Sequence, residues 1–236
     1  MDKYRISGRN EIKNKNKINI LEYYYEISYF QEKNKIYLEI LDYRTNMWFL
    51  SFMKINILNI AQKMVLLYDD QKGIIGIENY EELKDNLKAG LILYEIKYPD
   101  TKEFIDYLRD NIEEERDFIN ILKSIDFIEF LFGGNSKKKI IRNFLGIDKD
   151  KSAEIQRIVT KENNIEKYNY EITETSLNLL KLEYVMNNEK VPKYYLEGKG
   201  EKIYDEKKLL SANLDIKSGR EDEFKREISI KIEIMN

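Results

Sequence analysis

A chain of 236 residues can bury one large core or two small ones, and 42% hydrophobic with 35% charged residues describes a folded, highly charged protein rather than a disordered one. Its 40 basic and 43 acidic side chains leave a net charge of −3, without the basic surplus that marks general binding to nucleic acid or anionic membranes. It has no Cys and no His, which excludes disulfides, thiolate nucleophiles, Ser-His-Asp triads and His- or Cys-based metal sites; only carboxylate, Lys, Tyr, Ser and Thr chemistry is left.

The N-terminal MDKYRISGRNEIKNKNK is charged but has no apolar run behind it, so no secretory signal is expected, and no stretch approaches 18 uncharged apolar residues. A cytoplasmic protein without a membrane span is the expectation. From Ile18 the pattern alternates: Leu21, Tyr23, Tyr25, Ile27 and Tyr29 fall on one side, Glu22, Tyr24, Glu26 and Ser28 on the other. That is the period of a half-buried strand. A turn over 31–34 leads to a second strand, with Ile36, Leu38 and Ile40 opposed to Tyr37, Glu39 and Leu41, and the two read as an antiparallel hairpin. The apolar stretch 47–64, which holds the single tryptophan, Trp48, suits a strand in part and a helix better.

Residues 64–68 are strand-like, 69–73 have turn chemistry ending in Gly73, and 74–77 return as a short strand. Asn79 can cap the helix that follows, with Glu82 at the reciprocal capping-box position. Gly73 and Gly76 lie before and inside a strand rather than between strand and helix, and the acidic first turn of the helix would repel a phosphate, so the stretch is a hairpin and not a nucleotide loop. After Pro99, Asp100 and Glu103 mark another helix start, and Phe104, Leu108, Ile112, Ile119 and Leu122 keep a helical stripe up to Gly133-Gly134. Unbroken, this helix has roughly 30 residues and a length of about 45 Å; a break near the acidic run 113–117 is equally compatible with the pattern.

The run Gly133 to Lys139 is the best boundary. A short helical segment is expected over about 151–161. Strands are expected around 168–172, 180–186 and 194–197, the last broken by Gly198-Lys199-Gly200, and at the end, where Ile228, Ile230, Ile232 and Ile234 alternate with polar residues. The fold class expected is α+β: an antiparallel sheet with N- and C-terminal strands and a central helical region including one long helix. Residues 1–132, a linker 133–149 and a mainly β region 150–236 are the expected divisions, as separate domains or as parts of one sheet.

Three clusters invite a chemical reading. Asp85 with Glu95 and Lys97 has the outline of a Mg²⁺-dependent nuclease site, provided 91–98 is extended, but Glu-x-Lys recurs at Glu11 and Glu206 and a solvated charge pair is the plainer account. Glu113, Glu114 and Glu115 are consecutive and cannot converge on one ion from a helix. Lys137, Lys138, Lys139 and Arg142, beside Phe144, lack the aromatic platform of a nucleic-acid site and read as a solvated linker. The tyrosines differ. Tyr23, Tyr24, Tyr25, Tyr29 and Tyr37 crowd one hairpin and would place rings on both faces, one for a core and one for a partner protein.

Over about residues 64–132, the order of hairpin, GIIGIENYEEL, acidic helix and DFIEFLF, carried by Gly73, Ile77, Asn79, Glu82, Phe127 and Phe132, resembles a group of uncharacterised bacterial proteins that accompany contractile-injection or type VI-like systems. The resemblance implies an accessory or adaptor role and transfers no site residues. The function expected is therefore non-enzymatic binding of a protein partner, as an adaptor, immunity factor or counter-defence inhibitor acting by occlusion or escort, with no metal or cofactor. The alternatives are a carrier of an apolar ligand and the Mg²⁺ nuclease.

Overall fold

Period-two sequence dominates the computed structural model, which describes residues 1–14, 17–46, 58, 61–123, 125–134, 138–142, 152–162, 165–174, 194–206, 208–220 and 224–235. The strands are β1 (Asp2–Asn14), β2 (Lys17–Glu32), β3 (Lys35–Thr45), β4 (Lys63–Asp69), β5 (Gly73–Ile77), β6 (Lys138–Arg142), β7 (Ser152–Glu162), β8 (Ile165–Glu174), β9 (Tyr194–Asp205), β10 (Lys208–Arg220) and β11 (Phe224–Ile234). The helices are α1 (Tyr80–Lys97), α2 (Lys102–Asn111), α3 (Glu115–Lys123) and α4 (Asp126–Phe132), with a 3₁₀ turn at Pro99–Thr101.

The hydrogen-bonded order is β5-β4-β3-β2-β1-β11-β10-β9-β8-β7-β6, two meanders whose shared member is the β1–β11 pair. This corrects the α+β expectation. One large antiparallel sheet is the main element, and the four helices named above all lie within 80–132. The 47–64 segment with Trp48, apart from Leu58 and its last residues, and the strand expected over 180–186 lie outside the described residues.

The chain divides into two compact units. Unit 1 is Met1–Arg5, Tyr23–Asn135 and Met235–Asn236; unit 2 is Ile6–Glu22 and Ser136–Ile234.

In unit 1 the core-facing side of β2, β3 and β4 carries Tyr23, Tyr25, Ile27, Ile36, Leu38, Ile40, Met64 and Leu66, all buried. Phe127 and Phe132 of α4 meet Tyr25 and Tyr29 of β2, and Phe118, Leu122, Ile128, Phe130 and Leu131 of α3 and α4 are buried as well. The hairpin over 64–77 forms as its sequence indicates, with Gly73 at φ +79° where only glycine is at ease.

The single long helix does not form; α2, α3 and α4 take its place. The break after Asn111 has a tertiary cause. Tyr80 donates its hydroxyl to the Ile112 carbonyl at 2.7 Å, and Lys84 Nζ donates to the Glu113 carbonyl at 2.9 Å. Two carbonyls that a continuous helix would bond internally are thus satisfied by side chains of α1. The Glu113 carboxylate is held between Lys84 at 3.0 Å and Lys88 at 2.6 Å, which draws its pKa below the ordinary value.

Asn79 stands at the N-cap position of α1, but its side chain does not cap the helix. Its Oδ1 accepts from the Val65 N–H at 2.9 Å and its Nδ2 donates to the Lys63 carbonyl at 3.3 Å, so the amide pairs with β4 as a peptide group would.

In unit 2 the segment expected as a helix over 151–161 is strand β7, paired with β8 from Ala153↔Glu174 to Glu162↔Ile165. Ile155, Ile158, Val159 and Thr160 are β-branched, and a neighbouring strand of matching length decides what local pattern leaves open. Strand β9 runs unbroken through Gly198 and Gly200, which the sequence reading takes as a stop.

Candidate functional site

The register of β2 on β3 separates the five tyrosines. Tyr23 pairs with Thr45, Tyr25 with Tyr43 and Tyr29 with Leu38 on the core-facing side; Tyr24 pairs with Arg44 and Phe30 with Tyr37 on the other. Tyr25 is 1% exposed with its ring 4.8 Å from Phe127, and Tyr23 is also buried. Tyr29 stacks on Tyr4 at 4.7 Å and meets Phe132 edge-on at 5.3 Å. Tyr23 and Tyr25 are core, and Tyr29 is half-buried on the same side. On the opposite face the Tyr24 hydroxyl is bound to the Glu26 carboxylate and accepts from Arg5 Nε at 3.1 Å, with the guanidinium 5.7 Å from its ring centre; Glu26 raises its pKa. Tyr37 stacks flat on Phe30 at 4.4 Å. Only Tyr24 and Tyr37 of the five therefore look away from the core of their unit.

The carboxylate set does not converge. Asp85, Glu95 and Lys97 all belong to α1, so the extended segment a nuclease site needs is absent there. Ten helical positions set Asp85 and Glu95 about 15 Å apart along the axis, too far to share an ion. Glu95 is engaged by Arg109 at 2.5 Å, and Lys97 Nζ lies 5.3 Å from the Tyr98 ring centre. Glu115 accepts from the Ile77 N–H at 2.5 Å while Glu113 faces Lys84 and Lys88, so neighbouring acids turn to different partners. Among the described residues no group of three acidic side chains could hold a metal ion.

A different feature emerges in unit 2. On one face of β10 and β11, Ala212 pairs with Ile232, Leu214 with Ile230 and Ile216 with Ile228, and all six are buried. The other face carries Asn213, Asp215 and Lys217 against Lys231, Ser229 and Glu227, all exposed. Strand β9 continues the apolar face with Gly198 opposite Ile216 and Gly200 opposite Leu214. Its other neighbour, β8, sets Ile172 opposite Gly198 and Tyr170 opposite Gly200. Two successive positions of β9 on this face therefore have no side chain, and both glycines are partly exposed while Leu214 and Ile216 beside them are buried. A Cβ at Gly200 would lie 2.9 Å from Leu214 Cδ1 and 2.8 Å from the Asn213 carbonyl oxygen, so the glycine lets that leucine lie against the strand. Glycine inside a strand marks such close approach.

One position further along the same face stands Lys202, paired with Ala212 and Tyr168 and only 2% exposed. The lysine is indistinguishable in sequence from the chain's many solvated ones. Only its pairing with buried Ala212 shows that it points inward. Among the described residues of unit 2 there is no helix to fill this face, whereas in unit 1 the helices supply the aromatic filling.

No family model matches the chain, and no curated protein matches it. Among solved structures, all of this chain aligns with lipovitellin, in a structure concerned with lipid–protein interactions, at a TM-score of 0.51 and 8% identity. The likeness is one of fold. The chain spans about a quarter of that protein's length, 25%. A DUF1329 family protein from Desulfovibrio piger aligns over 99% of this chain and 85% of its own at 8% identity, with a TM-score of 0.20 that carries no argument. Neither bears on contractile-injection or type VI-like systems. Among the described residues no helix is long and apolar enough to cross a membrane.

Proposed function

We propose that the protein is a carrier of an apolar, chain-like ligand, held against the apolar face of β9, β10 and β11 in unit 2. The observation that carries this reading is that face itself: six buried aliphatic or alanine side chains in register on β10 and β11, continued on β9 by Gly198 and by Gly200, against which Leu214 lies. An alkyl chain gains about 0.8 kcal/mol for each methylene withdrawn from water, so such a face rewards a long chain over a compact solute. The likeness of fold to lipovitellin, whose structure concerns interactions with lipid, supports the same direction.

The test is fluorescence of N-phenyl-1-naphthylamine, a neutral apolar probe, titrated with the intact chain and then displaced by dodecanol. Saturable binding, displacement by dodecanol and loss of both in an Ile216→Glu variant that still unfolds cooperatively are expected. A wild-type protein that neither enhances the probe nor releases it to dodecanol would count against a carrier.

A further inference from the structure

We infer that the protein associates with a second copy of itself through the outward face of α1, formed by Ala89, Ile92, Leu93 and Ile96, with the two helices antiparallel. This surface lies in unit 1 and does not depend on the carrier reading.

Helix α1 is apolar on two opposite sides. Tyr80, Leu83, Leu87 and Leu91 are its buried residues. At about 100° per residue these four point one way, and Ala89, Ile92, Leu93 and Ile96 point the other. The outward set has the spacing i, i+3, i+4, i+7, by which a helix presents one face to a partner. Its three large members are well exposed, Ile92 at 52%, Leu93 at 68% and Ile96 at 75%. Single exposed aliphatic side chains are ordinary, whereas three within five residues make a contiguous patch. Helix propensity does not account for them, because Glu or Lys at these positions would serve the helix as well as Leu and better than Ile.

Charge selects the occupant. The first turn of α1 carries Glu81 and Glu82, with exposed Asp85 one turn on, and its last turn carries exposed Lys97. A second copy laid antiparallel brings Asp85 of each helix near Lys97 of the other, twice by symmetry, and sets the helix dipoles head to tail. A parallel partner would set acid beside acid. An anionic lipid surface fits poorly, since membrane-lying helices carry a basic polar face. In α1 the acids outnumber the lysines, and Lys84 and Lys88 are already held by Glu113. One helix stripe offers less than the roughly 800 Å² per partner of a standard interface, so the dimer is weak and reversible.

The experiment is analytical ultracentrifugation of the full chain at low salt, from about 10 µM to about 1 mM, the range in which a weak dimer forms. The weight-average mass is expected to rise from 28.4 kDa towards twice that value. Leu93→Glu combined with Ile96→Glu, at exposed positions and with a good helix former, is expected to leave the circular dichroism unchanged and the mass at the monomer value throughout. Lys97→Glu alone is expected to weaken association about three- to tenfold, and adding Asp85→Lys to restore it. A wild type that stays monomeric at every concentration overturns the inference; if it instead co-sediments with phosphatidylcholine vesicles, the stripe belongs to a lipid surface. A dimer that survives undiminished in the folded Leu93→Glu, Ile96→Glu variant also overturns it, by placing the interface elsewhere. Undiminished association of Lys97→Glu overturns the antiparallel arrangement.

Discussion

Gly73 and Gly134 meet backbone to backbone: a methyl group on Gly134 would lie 2.6 Å from the Gly73 nitrogen, and one on Gly73 would lie 2.6 Å from the Gly133 carbonyl carbon. Both glycines have positive φ, +79° and +87°. The β4–β5 turn, organised by Asp69 accepting from the N–H groups of Gln71 and Lys72, is thereby seated on the C-terminal end of α4. Either Gly→Ala change meets left-handed strain and a clash with main chain that no rotamer can relieve. Each is expected to cost about 2–4 kcal/mol, a loss of roughly 2–4 °C in Tm per kcal/mol for a chain of this size, read by calorimetry.

Asn79 provides a second test. Because its amide pairs with both Val65 and Lys63, Asn79→Ala is expected to lose about 1–2 kcal/mol. Asn79→Asp keeps the acceptor for Val65 N–H and turns the donor into a carboxylate facing the Lys63 carbonyl. An ordinary N-cap would tolerate aspartate well, whereas this site is expected to tolerate it poorly. Equal stability of the Asp variant and the parent in urea denaturation would contradict the strand-pairing role.

The two faces of β2 predict opposite outcomes at neighbouring tyrosines. Tyr25→Ala removes a buried ring packed on Phe127 and is expected to cost about 3–5 kcal/mol. Tyr24→Ala, on the other face, is expected to cost about 1 kcal/mol or less. Chemical denaturation of the two variants measures the difference directly. A similar cost at both positions would mean that the β2 register is not as described.

Alkaline titration should distinguish the buried phenols. Burial raises the pKa of Tyr4 and of Tyr80 to about 12, helped at Tyr4 by Asp2 and at Tyr80 by Glu115 and its acidic neighbours, against an ordinary value of 10.0. The folded-state pKa is above the unfolded one, so the stabilisation is fully present below pH 10 and is lost as pH rises towards 12. Absorbance at 295 nm should show the exposed tyrosines ionising first, with a late component that coincides with loss of the near-ultraviolet dichroism. A single ionisation step near pH 10 without unfolding would refute this.

On the acid side the Glu113 carboxylate, with its pKa lowered by hydrogen bonds from Lys88 and Lys84, contributes stability that is present above the ordinary carboxylate value of 4.5 and disappears as pH falls through its folded value. Glu113→Gln should therefore be less stable than the parent at pH 7, with the gap closing as the solution is taken below pH 4. A gap independent of pH would assign the loss to packing instead of charge.

What the sequence determined by itself is what a short window can encode. Alternation specified the strands around 18–41, 64–77 and 228–234, and Gly73 specified a turn, because side-chain period and positive φ are properties of a few adjacent residues. The absence of Cys and His is likewise legible without any structure. Tertiary structure decided the rest. Tyr80 and Lys84 claim the carbonyls of Ile112 and Glu113 and end a helix whose own stripe would have continued. Pairing with β8 makes a strand of 152–162, and the Asn79 side chain serves β4 instead of its helix. The candidate site shows the same division most clearly. Lys202 is one lysine among many in a charged chain, and Gly198 and Gly200 look like a stop. Their meaning comes from the register against Ala212, Leu214 and Ile216, and register is set by hydrogen bonds between strands, which no local pattern contains.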